Sequence, residues 1–245
     1  MARIDDLLTA ALQSVGDKPP DTAKAPEKKA YSEKVSNVVA AAIGDELRQR
    51  GLTSARPAPP GELDASGAER RMAGGIGAKK VDVTWATEEG GLLLGISIKT
   101  INFRDNKTKN FQKNLTNRRG DMLFEAVTLH RRFPYAVLGG LFFLDRGAAE
   151  DQTERRSSTF LNAHNRFRLF TGRADPSGRD EQYESLFVML LDASASHANY
   201  KAFYVGEPEK AVPMSDVMDQ LLRTAAFRNP DFYEFRDGNL VSVGS

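Results

Sequence analysis

The stretch KKVDVTWATEEGGLLLGISIKT, residues 79–100, decides how the chain reads. Its first half alternates polar and apolar residues, Glu89-Gly90-Gly91 interrupts it, and an almost wholly apolar run follows, the pattern of a β-hairpin. Into that apolar hairpin are set one carboxylate, Asp82, and one ammonium, Lys99. Gly90-Gly91 suits a two-residue turn because the primed turns need positive φ. With that turn, Asp82 lies opposite Lys99 and Thr84 opposite Ser97, all on one face, while Val83 faces Ile98 and Trp85 faces Ile96 on the other. With Glu89-Gly90 as the turn instead, Asp82 faces Ser97 and Lys99 is diagonal to it. Either register gathers Asp82, Ser97 and Lys99 into one polar cluster on an otherwise apolar hairpin. The plain alternative is an exposed cross-strand salt bridge contributing less than about 1 kcal/mol.

Outward from the hairpin, residues 31–50 show helical apolar spacing, ended by Gly51. On a helical wheel Val39, Ala42 and Glu46 occupy the centre of the apolar face. A glutamate there needs a partner such as a metal or a lysine, unless the helix end frays and Glu46 reaches water. Residues 3–15 read as a short amphipathic helix, 16–29 as a Pro- and Lys-rich linker, and 52–68 as a second flexible stretch. Residues 108–132 read as a helix with a possible break at Gly120, and 134–145 as a buried strand. Residues 149–170 read as a helix, 184–193 and 201–205 as strands, and 214–227 as a closing helix. The order predicts a mixed α/β domain: an N-terminal helix and linker over 1–30, then a main domain over 31–245, with its core at 31–145 and additions at 146–245.

The composition narrows the function classes. The net charge is +1, yet from Lys99 to Arg173 fifteen Lys/Arg stand against seven Asp/Glu, leaving −7 for the remainder. A basic middle in a near-neutral protein suggests a polyanion-binding face, although basic helices also simply carry solvated sides. There is no cysteine, which excludes disulfides and cysteine-based zinc sites and fits a reducing cytoplasm. The three histidines are scattered, so no histidine cluster is visible. The N-terminus has acids where a signal peptide has bases, and no apolar run approaches the roughly 18 residues of a membrane span. The expectation is a cytoplasmic protein with no membrane partner.

An acid on a leading helix, an Asp early in a hairpin and an x-Lys motif on its second strand resemble the PD-(D/E)xK nuclease superfamily, which includes many restriction endonucleases. The αβββαβ order of that restriction-endonuclease-like core, a mixed central sheet flanked by helices, is similar to the order over residues 31–145. The resemblance implies that Asp82 binds metal, that Lys99 activates or positions the attacking water, and that Glu46 is the helix-borne acid. Ser97 stands where the pattern calls for Glu or Asp. In some restriction enzymes with a similar Ser-x-Lys, the missing carboxylate comes from the following helix, where Glu125 and Asp121 are the candidates. A continuous helix projects Glu125 toward the core side with Phe111, Met122 and Leu129.

The chemistry implied is Mg²⁺-dependent hydrolysis of a phosphodiester in double-stranded DNA, with Mn²⁺ as a substitute. Mg²⁺ prefers oxygen ligands and keeps several waters, so Asp82, Glu46, the Ile98 carbonyl and Glu125 form the candidate metal set. Phosphate contacts are expected from Lys80, Arg104, Lys107, Lys109, Lys113, Arg118 and Arg119. A second contact element is expected from Arg155, Arg156, Arg166 and Arg168. Lys79 and Lys80 follow the Gly-rich AGGIGA, which no strand leads into as a P-loop would require. Because duplex cleavage needs two active sites, the resemblance implies a homodimer. The Ser97 departure keeps a second expectation open: a catalytically impaired nuclease-fold subunit that binds nucleic acid in a larger assembly.

Overall fold

The computed structural model describes residues 2–62, 70–73, 78–154 and 156–244, with the backbone alone at 70–73, 78 and 79. Helix α1 (Arg3–Ser14) and helix α2 (Ala25–Gln49) lead into the short strands β1 (Arg70–Ala73) and β2 (Ala78–Val81). A one-residue bend at Asp82 separates β2 from β3 (Val83–Thr87). Then come β4 (Gly91–Ile101), α3 (Leu115–His130), β5 (Val137–Asp145), α4 (Thr159–Phe167), β6 (Ser185–Ala193) and β7 (Ala198–Tyr204). The chain closes with β8 (Ala211–Val212), α5 (Met214–Arg228) and a hairpin of β9 (Tyr233–Arg236) and β10 (Asn239–Ser242).

The centre is a mixed sheet of six strands in the order β3-β4-β5-β6-β7-β8. β4, β5 and β6 are parallel, and the pairs outside them are antiparallel. Buried on both faces, β5 and β6 are nearly continuous apolar runs, as central parallel strands are. Val137, Leu141 and Phe143 of β5 join the core made with α1, α2 and α5, and Leu138, Phe142 and Leu144 join the core made with α3 and α4. The protein is thus an α/β fold with helices on both faces of the sheet.

Two glycines of β5 leave room for side chains that the flanking helices lay over the strand. A Cβ on Gly140 would lie 2.7 Å from Met122 Cε of α3, and one on Gly139 would lie 3.0 Å from Leu221 of α5. Met122 precedes Glu125 by three residues, so the Met122 side chain that lies over Gly140 shares its face of α3 with Glu125. Gly140 pairs with Ser97 in the β4–β5 register, which places that contact beside the polar cluster.

Several sequence expectations change. The hairpin pairs Val83 with Ile96 and Trp85 with Leu94, then shifts by one at Trp85/Ala86 to pair Thr87 with Gly91. The loop is therefore Glu88-Glu89-Gly90, with Gly91 at φ +64. Extended by one residue, this register sets Asp82 against Ser97 rather than against Lys99. α2 begins at Ala25, six residues before the expected Tyr31, because Pro26 sits in its first turn, where a missing N–H costs nothing. The supposed linker before it is pinned: Lys18 Nζ reaches Asp145 Oδ2 at 2.7 Å and the Asn102 carbonyl at 3.0 Å. α1 buries Ile4, Leu8 and Leu12 in the same core as α2. α3 runs unbroken through Gly120 but starts only at Leu115, and α4 starts at Thr159, where the Ser158 hydroxyl caps it by accepting from Leu161 N. The expected β5 start at Pro134 moves to Val137. Most of the second flexible stretch and the centre of AGGIGA lie outside the described residues.

Candidate active site

Pairing between β3 and β4 stops at Val83 and Ile96, so the last residues of β4 run along an open edge. There Asp82 replaces the missing strand: its Oδ2 accepts a hydrogen bond from Ile98 N at 2.6 Å. In an extended strand the N–H and C=O of one residue face the same neighbour, so the Ile98 carbonyl faces this edge too. Ser97 and Lys99 alternate onto the α3 face of β4. Lys99 Nζ stands 3.4 Å from Glu125 Oε2 on α3 and 3.7 Å from Asp82 Oδ2. Helix, strand and bend thus deliver two carboxylates to one ammonium, at the carboxyl end of a parallel strand where α/β sheets commonly bind ligands.

The electrostatics follow from burial. Lys99 is 16%, Asp82 13% and Glu125 6% exposed. Burial works against the Lys99 ammonium, but the Glu125 and Asp82 charges more than offset it and raise its pKa above the ordinary lysine value. Burial raises the Glu125 carboxyl above the usual carboxylate range; Lys99 opposes this and Asp82 adds to it. The buried Ser97 Oγ, beside Glu125 and Tyr183, makes no well-formed hydrogen bond. Two carboxylates against one ammonium leave the cluster one charge negative, which suits a cation at their mouth.

The cluster opens into a cleft of about 830 Å³. One wall is the first half of α2, with Lys28, Lys29, Ser32, Glu33, Ser36 and Asn37; the other comes from the 102–106 turn and α3, with Arg104, Lys113 and Arg118. Seven Lys/Arg line the cleft against five Asp/Glu, so the rim is basic around an acidic floor. A second cleft of about 1140 Å³ adjoins it, sharing Asp105 and Lys113 in its lining.

Of the sequence-predicted site residues, Asp82, Lys99, Ser97, Ile98 and Glu125 come together. Glu46 does not. It is 2% exposed, nine residues beyond Asn37, the last cleft-lining residue of α2, and is held by Arg50 Nε at 2.6 Å and Arg3 Nε at 2.8 Å. Arg50 continues the network to Asp219 Oδ1 at 2.5 Å and the Gly238 carbonyl at 3.1 Å. Glu46 is thus the buried acid that the helical wheel foresaw, but its partners are arginines tying α1, α2, α5 and the C-terminal hairpin together. Among the phosphate candidates, Lys80, Arg104, Lys113 and Arg118 line the first cleft, and Lys107 lines the second. Lys109 is exposed at φ +57 and lines neither, and Arg119 lies 5.9 Å from the Phe170 ring, outside both linings. Arg156 and Arg166 line the second cleft and Arg168 is outside both, while Arg155 and the Lys79 side chain lie outside the described residues. Lys28 and Lys29 were missed because Pro26 made their segment read as a linker, although Pro followed by Glu is also a helix-start signal.

Asp82, Glu125, the Ile98 carbonyl and the Ser97 hydroxyl are all hard oxygen groups, the ligand type that Mg²⁺ takes. Among the described residues no group of three or more Asp, Glu or His stands ready to hold a metal ion. Asp121 lines the cleft but pairs with Arg118 at 3.7 Å. Compared with protein-family models, with curated proteins and with solved structures, the chain matches none. No described helix is long and apolar enough to cross a membrane.

Proposed function

We propose that the protein is a Mg²⁺-dependent nuclease acting on double-stranded DNA, with a core of the restriction-endonuclease-like PD-(D/E)xK pattern. The observation that carries this reading is the convergence of Asp82, Lys99 and Glu125 at the open edge of β4, inside a basic-rimmed cleft. The order α2, β1, the bent β2/β3, β4, α3, β5 is similar to αβββαβ. Glu125 stands in for the acid that Ser97 lacks. Glu46 is not part of this site.

The residues divide the work. Asp82 and Glu125, with the Ile98 carbonyl, would hold the ion, which supplies charge neutralisation and an acidified water when bound. Lys99, held charged by the two carboxylates, places a fixed cation beside the reacting phosphate, where pre-organised charge is worth most. Lys28, Lys29, Arg104 and Arg118 on the rim meet the flanking phosphates. Cutting both strands of a duplex requires two such sites, hence a homodimer.

The second reading, a nucleic-acid-binding subunit without catalysis, is favoured by one observation: Lys99 already pairs with both carboxylates and, among the described residues, no third acid joins them. Calorimetric titration with Mn²⁺ separates the two. The nuclease reading predicts saturable binding by the wild type that Asp82→Ala and Glu125→Gln each remove. A wild type that takes up no Mn²⁺ or Mg²⁺, with or without duplex DNA, sinks the nuclease reading and leaves the binding subunit.

A further inference from the structure

The second cleft differs in chemistry from the first. Lys107, Lys113, Arg156 and Arg166 outnumber Asp105 and Glu154 in its lining, and the rest is amide and hydroxyl, with no aromatic or aliphatic side chain. Small-molecule pockets are predominantly apolar, so this is a poor one. Grooves for single-stranded nucleic acid stack bases on aromatic rings, and none is offered here. Cations for phosphates interleaved with amides for base edges are what a duplex meets on a protein.

The side chains of Lys107, Gln112, Gln152 and Arg156 make no hydrogen bond or ion pair with the described residues, so they stand available to an incoming ligand. The turn that carries Lys107 and Gln112 is held in place. Asp105 accepts from Lys107 N at 3.0 Å, Thr108 N at 3.1 Å and Lys113 Nζ at 2.7 Å. Asp151 ties that turn to α4, accepting from Phe111 N at 2.9 Å and Thr159 N at 2.7 Å. The backbone of that turn therefore needs little ordering on binding, and the cost falls on the side chains that meet the ligand. Lys113 and Asp105, ion-paired to each other at 2.7 Å, line both clefts, so the two adjoin.

We infer that the second cleft seats the duplex flanking the scissile phosphodiester, Lys107 and Arg156 meeting its backbone and Gln112 and Gln152 facing its base edges. The inference rests on the nuclease reading of the first cleft and extends it to a binding footprint longer than the catalytic centre needs.

The test is fluorescence anisotropy on full-length protein with labelled duplexes of about ten and about twenty base pairs, one and two helical turns, in Ca²⁺. Wild type, the double variant Lys107→Ala/Arg156→Ala and the first-cleft double variant Lys28→Ala/Lys29→Ala are compared, each checked for an unchanged Tm. On the long duplex the second-cleft variant is expected to bind more weakly, with its slope of log affinity against log salt reduced by about 2. One turn of duplex, about 34 Å, is long enough to reach both adjoining clefts, so the short duplex is expected to report the same loss of slope, and the first-cleft variant is expected to weaken both lengths as well. An affinity and a salt slope left unchanged by Lys107→Ala/Arg156→Ala on both lengths overturn the second-cleft assignment while leaving the nuclease reading standing. A wild type that binds neither duplex overturns both.

Discussion

Glu184 closes a buried network that holds the C-terminal end of α3, and its removal should be felt in stability. Its side chain is 2% exposed; Oε1 lies 2.6 Å from Arg228 Nη1 and 3.3 Å from Arg173 Nη1, and Oε2 accepts from Leu138 N at 2.5 Å. His130, the last residue of α3, places Nε2 3.4 Å from Oε2. Both guanidiniums are fully buried, and their other partners are neutral carbonyls at Ala136, Arg173, Pro134 and Pro176. Glu184→Ala therefore strands two buried cations and the Leu138 N–H. Removing one partner of a buried pair costs about 3–5 kcal/mol. For a chain of this size each kcal/mol lowers Tm by roughly 2–4 °C, so a fall on the order of 10 °C is expected by calorimetry at pH 7. Burial works to raise the Glu184 carboxyl, but His130, Arg228 and the Leu138 N–H more than offset it and hold it below the ordinary glutamate value. A depressed folded pKa contributes stability above the unfolded value and loses it as pH falls through the folded one. The gap between wild type and Glu184→Ala should thus be full at neutral pH and narrow below about pH 4. A Tm change under about 3 °C, or a gap that does not vary with pH, would refute the reasoning.

The remaining predictions separate structural from catalytic acids. Glu46→Ala should cost roughly 2–3 kcal/mol by leaving Arg50 under-paired, measurable by urea denaturation, while the folded fraction keeps its metal affinity; loss of Mn²⁺ binding at unchanged stability would return Glu46 to the site. Glu125→Gln should do the reverse. Because burial raises the folded pKa of Glu125, its ionised form opposes folding above that pKa, and the penalty vanishes as pH falls below the unfolded value. Without metal the variant should be more stable than wild type at pH 7 and lose that advantage below about pH 4, whereas added Mg²⁺ should raise Tm in the wild type alone. A variant less stable than wild type at pH 7 would count against the buried carboxylate as a reserve for metal.

The gathering of Asp82, Ser97 and Lys99 into one cluster was more legible in the sequence than the fold around it. Polar Asp82 and Lys99 are conspicuous because period-2 alternation left no other polar reason for them, and both registers considered brought Ser97 with them. Glu125 was legible from helical phase once α3 proved continuous through Gly120. The register itself depended on a shift at Trp85/Ala86, which no local residue signals. Glu46 looked catalytic because a buried acid demands a partner. Arg50, four residues on, was the readable answer, whereas Arg3 comes from a helix forty-three residues away and only tertiary packing reveals it. The cleft wall formed by α2 was hidden behind Pro26, and the second cleft depends on Asp151 joining two turns distant in sequence.

The most direct test incubates purified protein with supercoiled plasmid and with phage DNA in Mg²⁺ and in Mn²⁺, beside Asp82→Ala and Lys99→Ala. The account predicts metal-dependent nicking or linearisation by the wild type, lowered at least about a hundredfold in each variant. DNA left intact in both metals, or cut equally by wild type and Asp82→Ala, would contradict it.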